Sequence, residues 1–278
     1  MGKTLFAVAL LLVGLVFGSF VNAAVWRLKN KKDLLMGRSE CTRCHHQLAW
    51  YDLVPVFSWL QLKGKCRYCH RSISSQYPLV ELGVAAYFVA SLAFWPYGFV
   101  GTVPLLMFAL WLLSGVLLAI LFVYDLRWMI LPNKVTYPLI GLGIAMAILH
   151  GLQAASLGEF AVDLFGSLAI LSGFYLMLHL VSNGRWVGFG DVKLGAALAL
   201  LLCNWQLALL AFFLANIFGT VVTLPGMALK KIKKDSRIAF GPFLIAGFIV
   251  AGLFGASIIE WYLALTYSGL TVPNDLYR

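Results

Sequence analysis

Two acidic residues lie at the ends of apolar stretches, where a charged side chain is costly. Asp125 closes one stretch in the sequence VYDLR, and Asp191 follows the glycines of GFGD at the start of another. Ionisable groups in such positions are candidates for function. Two facing carboxylates do not both ionise easily, so one stays protonated while the other takes a proton from water. The pair therefore predicts aspartyl hydrolysis of a peptide bond, with both residues catalytic and neither given a fixed role.

The loop that carries Asp191 is predicted to support this site. Gly188 and Gly190 lack side chains, so an extended substrate could lie against their backbone. Lys193 follows in the same loop and is included among the supporting residues.

Each aspartate, taken alone, also has a simpler interpretation. Asp125 could pair with Arg127 at the end of a helix. Asp191 could stabilise a helix N-terminus through the helix dipole, with Lys193 extending its charge to the membrane interface. The catalytic hypothesis therefore depends on whether the fold brings the two acids together.

Four of the five cysteines form two CxxC pairs, Cys41 with Cys44 and Cys66 with Cys69. Two such pairs can supply four thiolates to one tetrahedral zinc ion. A site closed by four thiolates is structural, because it leaves no position for a reactive water. Disulfides are disfavoured if the pairs face the cytosol. The fifth cysteine, Cys203, lies in an apolar stretch and is expected to pack there.

A competing hypothesis comes from the histidines that follow the two pairs, His45 and His70. CxxCH is the attachment pattern of c-type haem, so the chain could also be a membrane-anchored dihaem cytochrome. Covalent haem attachment takes place outside the cytoplasm, and the two hypotheses therefore require opposite orientations. The basic character of this segment favours zinc and the cytoplasmic side.

The composition identifies the elements that must position these groups. The chain has 278 residues, of which 62% are hydrophobic and only 12% charged, whereas soluble domains carry about 25% charged residues. A transmembrane helix needs about 20 apolar residues. Such segments lie near 5–26, 78–96, 102–124, 135–151, 157–182, 190–203, 206–229 and 240–268. The sixth is short and could be a half-span or merge with the seventh.

The predicted fold is an all-α integral membrane protein with about eight transmembrane helices and a small cytoplasmic zinc-stapled insert. Its parts are a first helix over 1–26, the insert over 27–77 and a polytopic membrane domain over 78–278. All Lys and Arg residues except Lys3 and Arg278 fall on one side of this arrangement. That side is expected to be cytoplasmic, with both termini outside. A cleaved signal peptide is disfavoured because the basic cluster follows the first segment.

The net charge of +10 accordingly reports orientation, and no nucleic-acid partner is predicted.

The order of motifs resembles that of the type IV prepilin peptidases, which are bifunctional leader peptidases and N-methyltransferases of the GxGD aspartyl class. The resemblance rests on these stretches: GSFVN with Arg27, the two CxxC pairs with WYD and Pro55 between them, YPLVE at 77–81, 125–133, 188–194 and FGPF at 240–243. The GxGD element alone also occurs in presenilin-like proteases.

The resemblance implies a bacterial inner-membrane enzyme of pilus and type II secretion systems. Its substrates would be prepilins and pseudopilins, cut after a glycine at the cytoplasmic face by Asp125 and Asp191. The new N-terminal residue, usually phenylalanine, would then be methylated with S-adenosylmethionine. Family positions linked to the cysteine-bearing methyltransferase half are Asn22, Arg27, Asp52 and Glu81. The one departure from the family pattern is Asn133, where the family also uses aspartate.

No Gly-rich strand-to-helix turn is present, so a methyl-donor pocket would be of an unusual kind. Two further alternatives stay open at this point. One is a peptidase that lacks methyl transfer. The other is a non-enzymatic membrane scaffold or transporter with a zinc-stapled loop, in which both aspartates would tolerate substitution.

Overall fold

The computed structural model describes residues 2–34, 37–229 and 238–267, and these are almost entirely helical. The only β-type pairs among them are two isolated bridges in the insert, Glu40–Gln47 and Lys65–Ser72. The all-α prediction is confirmed. Some of the basic residues used to predict orientation lie outside the described residues, namely Lys230, Lys231, Lys233, Lys234, Arg237 and Arg278.

The helices follow the predicted apolar segments closely. In chain order they are α1 (Gly2–Lys29), α2 (Phe57–Gln61), α3 (Gln76–Ala93), α4 (Thr102–Trp128), α5 (Asn133–Gln153), α6 (Leu157–Leu168), α7 (Phe174–Val181), α8 (Phe189–Leu202), α9 (Trp205–Ala228) and α10 (Gly241–Tyr267). Within the described ranges, seven helical spans are long and apolar enough to cross a membrane. One of these is α6 and α7 together, joined by the π-turn Ala169–Gly173.

Helix α8 is the predicted short sixth segment, and it has 14 residues. It does not merge with α9, because Cys203 ends it in a left-handed conformation (φ 43°) and Asn204 caps α9 through its side chain. Its side chains Leu194, Ala197 and Leu198 are completely buried. A helix that is apolar on all sides is a core helix, and here its short length leaves Asp191 at an N-terminus inside the bundle.

Two long helices extend beyond the predicted segment edges and carry candidate site residues near their ends. Helix α4 extends to Trp128, so Asp125 and Arg127 both lie in its last turns. Helix α1 extends to Lys29 and includes Asn22 and Arg27. The polar and charged residues near the C-terminal ends of α1 and α4 therefore continue the helices that the apolar segments begin.

Candidate active sites and metal centre

Asp125 is buried in the last turns of α4, and its carboxylate contacts the start of α10. Its Oδ2 accepts a hydrogen bond of 3.1 Å from the backbone N–H of Gly241. Only glycine permits this approach, because a Cβ at position 241 would lie 2.7 Å from the same oxygen. Helix α4 then ends at Met129, which adopts a left-handed conformation (φ 52°). The chain turns away there toward α5.

Asp191 lies in the first turn of α8 and is partly exposed. Its carboxylate is close enough to that of Asp125 for the two groups to interact electrostatically. Leu131 packs against the glycine beside each acid, Gly190 next to Asp191 and Gly241 bonded to Asp125. A Cβ on Gly190 would lie 3.2 Å from Leu131 Cβ, and one on Gly241 would lie 3.6 Å from Leu131 Cδ2. The fold therefore brings together two acids that are 66 residues apart in the sequence.

The simpler interpretation of Asp125 does not hold. Among the described residues no ion pair involves Asp125, and the guanidinium of Arg127 lies over the ring of Trp128 at 5.7 Å. The carboxylate points into the bundle, and the arginine lies at the surface. The dipole interpretation of Asp191 agrees with its place in the first turn of α8, and it is compatible with the electrostatic interaction with Asp125.

The predicted supporting loop lies on the open side of Asp191. Gly188 is extended and exposed, and a Cβ there would be 3.4 Å from Asp191 Oδ2. Lys193 donates a hydrogen bond to Asn133 Oδ1 at the start of α5. Its Nζ also lies 5.5 Å from the ring centres of Tyr137 and Phe189. Lys193 thus ties α8 to α5 beside the acids and does not extend away alone.

The four insert cysteines converge on one point. Their Sγ atoms all lie within 4.8 Å of one another, and Cys41 and Cys69 are 3.9 Å apart. Tetrahedral coordination with Zn–S bonds of about 2.3 Å needs sulfur atoms about 3.8 Å apart. The side chains fit a four-thiolate metal ion. Cys203, the fifth cysteine, is buried at the end of α8, as expected of a packing residue.

The two cysteine turns have the same backbone pattern. Cys41 N–H donates to His46 O and Cys66 N–H to Arg71 O, at 3.0 and 2.9 Å. His45 and His70 occupy the left-handed position of each turn, with φ of 58° and 56°. The histidines therefore mark the turn, and they are not part of the cysteine cluster. Four thiols sharing one centre leave no arrangement for two separate haem attachments.

A cavity of about 500 Å³ lies where α1, the insert, α3 and the end of α4 meet. Its wall includes all four residues that the resemblance links to methyl transfer, Asn22, Arg27, Asp52 and Glu81. It also includes Trp26, Trp59, Tyr77 and Arg127. The sequence patterns did not predict a cavity, because these residues come from four separate segments with no shared spacing.

Hydrogen bonds fix the four residues in the wall. Asn22 Nδ2 donates to Tyr77 O at 3.0 Å, which joins α1 to α3. Arg27 donates to the carbonyls of Leu34 and Gly37, at 2.7 and 2.6 Å, and so shapes the chain entering the insert. The cavity is therefore built by contacts between the membrane helices and the insert.

Asp52 ties the two halves of the insert together. It accepts hydrogen bonds from Arg67 Nε at 2.7 Å and from Tyr68 Oη at 2.9 Å, next to the second cysteine pair. Burial raises the pKa of Asp52, but the hydrogen bonds from Arg67, Tyr68 and the N–H of Ala49 outweigh it, and the pKa is lower than usual. Asp52 is thus a fixed negative charge in the cavity wall.

Glu81 joins α3 to the insert through a hydrogen bond. Its Oε2 accepts a hydrogen bond of 2.7 Å from the N–H of Val56, which precedes α2. Val56 has φ of 61°, a strained conformation for a β-branched residue. On its other side Glu81 lies against Gly18 of α1, where an added Cβ would be 2.4 Å from Glu81 Cα. The buried carboxylate holds this strained turn over the membrane helices.

Comparison with known proteins agrees with this arrangement. The model of the bacterial Peptidase A24 N-terminal domain matches residues 12–95, which include most of α1, the insert and α3. The model of the type IV leader peptidase family matches residues 111–224, which include Asp125 and Asp191. The chain belongs to the type IV leader peptidase family. The prediction of an enzyme of this aspartic protease family is confirmed.

Similar curated proteins cover nearly the whole chain. A protein of Aeromonas salmonicida (strain A449) is 33% identical over 91% of this chain and 92% of its own length. A protein of Pseudomonas aeruginosa is 32% identical over 93% of each, and one of Bacillus subtilis is 32% identical over 92% of this chain and 97% of its own length. All three are named prepilin leader peptidase/N-methyltransferase. No solved structure was found to match the chain.

These matches, together with the seven apolar spans, identify a multi-pass membrane enzyme. They give no support to the dihaem cytochrome. The names of the relatives also combine both activities, so a peptidase without methyl transfer is not supported either.

Proposed function

We propose that this protein is a prepilin peptidase and N-methyltransferase of the bacterial inner membrane. Its substrates are prepilins and pseudopilins with a basic leader, cut after a glycine at the cytoplasmic face. The observation that carries the peptidase activity is the proximity of Asp125 and Asp191: the glycines beside both acids pack on Leu131, and the two carboxylates interact electrostatically. Glycines on the exposed side of Asp191 leave room for an extended peptide.

Hydrolysis follows from the pair. The ionised aspartate takes a proton from water, whose oxygen forms a bond to the glycine carbonyl carbon. The protonated aspartate gives its proton to the carbonyl oxygen. The C–N bond then breaks as the aspartate that took the proton from water gives it to the nitrogen, and the other aspartate takes back a proton from a hydroxyl of the tetrahedral intermediate. The leader thus ends in a carboxyl group, the pilin begins with an amine, and both aspartates return to their starting states. The Gly241 N–H holds Asp125 in place throughout.

We propose that the cavity between α1, α3 and the insert binds the methyl donor. Its volume falls in the range of small-molecule sites, about 300–1,000 Å³. S-adenosylmethionine supplies a methyl group on a positively charged sulfur. The indole rings of Trp26 and Trp59 in the cavity wall are suited to a flat base. The Asp52 carboxylate adds negative charge to a wall rich in arginine, although it is paired with Arg67. Asn22, Arg27 and Glu81 keep the wall in shape through the hydrogen bonds described above.

The end of α4 connects the two proposed sites. Asp125 faces α8 and α10, whereas Arg127, two residues later, lines the cavity. Residues two apart on a helix point to opposite sides. The pilin amine that forms beside Asp125 must therefore pass the last turn of α4 to reach the donor. This supports two successive reactions at separate sites.

We further propose that the tetracysteine centre binds a structural zinc ion through Cys41, Cys44, Cys66 and Cys69. The support is the closed four-thiolate geometry and the absence of an open position for water. The insert and the aspartates face the cytoplasm in this proposal, because the insert carries ten basic residues.

One experiment tests the proposed function as a whole. The purified chain in lipid is incubated with a prepilin from the same bacterium and S-adenosylmethionine, and the product is analysed by mass spectrometry. We expect loss of the leader after glycine and a methyl group on the new N-terminus. Cleavage without methylation would leave only the peptidase, and an uncut prepilin would contradict both activities.

A further inference from the structure

Tyr175 is a buried residue of α7 that no motif in the sequence singles out. Its side chain is 3% exposed, yet its hydroxyl has no hydrogen-bond partner among the described residues. A buried hydroxyl without a partner costs about 1–3 kcal/mol, and such groups in native proteins call for a functional explanation. The ring itself is well packed, at 5.9 Å from Phe212 and 5.5 Å from Phe240.

The hydroxyl of Tyr175 lies near Asp191, one of the two acids. It is close enough to Asp191 for the two groups to interact electrostatically, although no hydrogen bond joins them. The two groups are therefore farther apart than one hydrogen bond. The amide of Asn216 on α9 also approaches the hydroxyl without completing a hydrogen bond by distance and angle.

The π-turn before α7 fixes this position. Ser172 Oγ donates a hydrogen bond of 3.1 Å to Val192 O, the residue after Asp191. Gly195 allows the turn to lie directly on α8, since a Cβ there would be 1.8 Å from Leu171 O. Single π-turns are frequent at functional sites because they shift the register of the helix that follows. Here the shifted helix presents Tyr175 to the N-terminus of α8.

Tyr175 also contacts the segment that holds the other acid. Phe240, which packs on its ring, is followed by Gly241, whose N–H binds Asp125. The phenol is thus positioned relative to Asp191 through the bond of Ser172 to Val192 O, and relative to Asp125 through Phe240 and Gly241. A group placed between the two acids would have Tyr175 at its side.

We propose that Tyr175 is a further catalytic residue of the peptidase site. Its hydroxyl donates a hydrogen bond to the carbonyl oxygen of the scissile peptide bond as negative charge develops there during attack by water. The hydroxyl keeps its proton, so the proton transfers remain those of the two aspartates. This inference rests on the proposed peptidase function.

The test compares Tyr175→Phe with the wild-type enzyme in prepilin cleavage. Phenylalanine keeps the ring and its packing and removes only the donor. Because donors to a developing oxyanion contribute about 10²–10³-fold to kcat, we expect kcat to fall by about 10²-fold with KM little changed. The matched control is Tyr87→Phe, which removes a hydroxyl bonded to Trp111 O. Trp111 lies on α4 about 21 Å along the helix axis from Asp125, and this variant should keep the wild-type kcat.

Methylation of an already cleaved pilin peptide serves as the check of folding, and Tyr175→Phe should retain it. Wild-type kcat in a variant that methylates normally overturns the role of Tyr175 and leaves the proposed function intact. Failure of the wild-type enzyme to cut prepilin would instead contradict the proposed function. If Tyr175→Phe does not methylate, the test uses 3-fluorotyrosine at position 175 instead. This residue keeps the hydroxyl and nearly the same volume, and because its hydroxyl is a stronger hydrogen-bond donor, kcat for cleavage should rise. An unchanged kcat there overturns the inference.

Discussion

The backbone N–H of Gly241 donates a hydrogen bond of 3.1 Å to the carboxylate of Asp125, across 116 residues of sequence. It places the start of α10 against the end of α4, at the point where Asp191 enters from α8. Two residues of the FGPF motif at 240–243 make these connections: Phe240 packs on Tyr175, and the Gly241 N–H binds Asp125. The site is assembled from the ends of three helices.

Gly241→Ala should damage cleavage specifically. The added Cβ would lie 2.7 Å from Asp125 Oδ2 and must displace either the carboxylate or the start of α10. A displacement of this size costs on the order of 10²-fold in rate. Initial rates of prepilin cleavage measure it. The control Gly141→Ala adds the same methyl group where no heavy atom lies within 4 Å; equal rates for both variants would exclude a role for the close approach.

Asp125→Asn and Asp191→Asn should each abolish prepilin cleavage, because an amide can neither accept the proton of water nor donate a carboxylic proton. We expect a loss of at least about 10³-fold. Each variant should still methylate an already cleaved pilin peptide, since the cavity lies on the other side of the last turn of α4. Asp163→Asn, the same change in α6, is the control. Efficient cleavage by either active-site variant would refute the two-aspartate mechanism.

Much of this arrangement could be predicted from the sequence, and the reasons are local. Apolar runs identified the spans, and the pairing of Asp125 with Asp191 followed from their positions at span ends. The contact of Gly241 and the place of Tyr175 could not be predicted. Helices that are apolar on every side carry no periodicity that shows which face meets which neighbour. The π-turn that presents Tyr175 arises from packing against Gly195 and has no sequence pattern of its own.

Removal of the metal should act on methylation more than on cleavage. Cys66→Ser replaces one thiolate of the cluster and lies in the cavity wall, whereas the aspartates are held by membrane helices. We expect the zinc content, measured by elemental analysis, to fall from one ion per chain to near zero, with methyl transfer lost and most cleavage kept. Cys203→Ala, a cysteine outside the cluster, should retain zinc. A zinc-free wild-type enzyme with full methylation would contradict the structural role.

Asp52→Asn should lower methylation and leave cleavage unchanged. The amide weakens the hydrogen bonds that Arg67 and Tyr68 donate to residue 52, which join the two halves of the insert. It also removes a negative charge from the cavity wall. Because the pKa of Asp52 is lower than usual, its contribution is complete above the ordinary aspartate pKa of about 3.9 and is lost only as pH falls through the lowered value. Mass spectrometry of pilin products gives the methylated fraction.

The pH profile of methylation provides a second check on Asp52. Between pH 5 and 8 the wild-type rate should therefore follow the pilin amine, whose pKa is about 7.7–8.0, and rise with pH. A wild-type profile with a limb that disappears in Asp52→Asn within that range would show that Asp52 titrates there, against this prediction.

Asn133→Asp should stabilise the contact between α5 and α8. The Lys193 ammonium donates to the neutral amide oxygen of Asn133 beside the acids, and a carboxylate at this exposed position would turn this hydrogen bond into an ion pair. Exposed ion pairs contribute about 0.2–1 kcal/mol and weaken in salt. We expect the free energy of unfolding to rise by that amount at low ionic strength, with cleavage retained. The control Asn133→Ala, which removes the hydrogen bond, should be less stable than the wild type at every salt concentration. A gain in the stability of Asn133→Asp that persists in high salt would argue against an ion pair with Lys193.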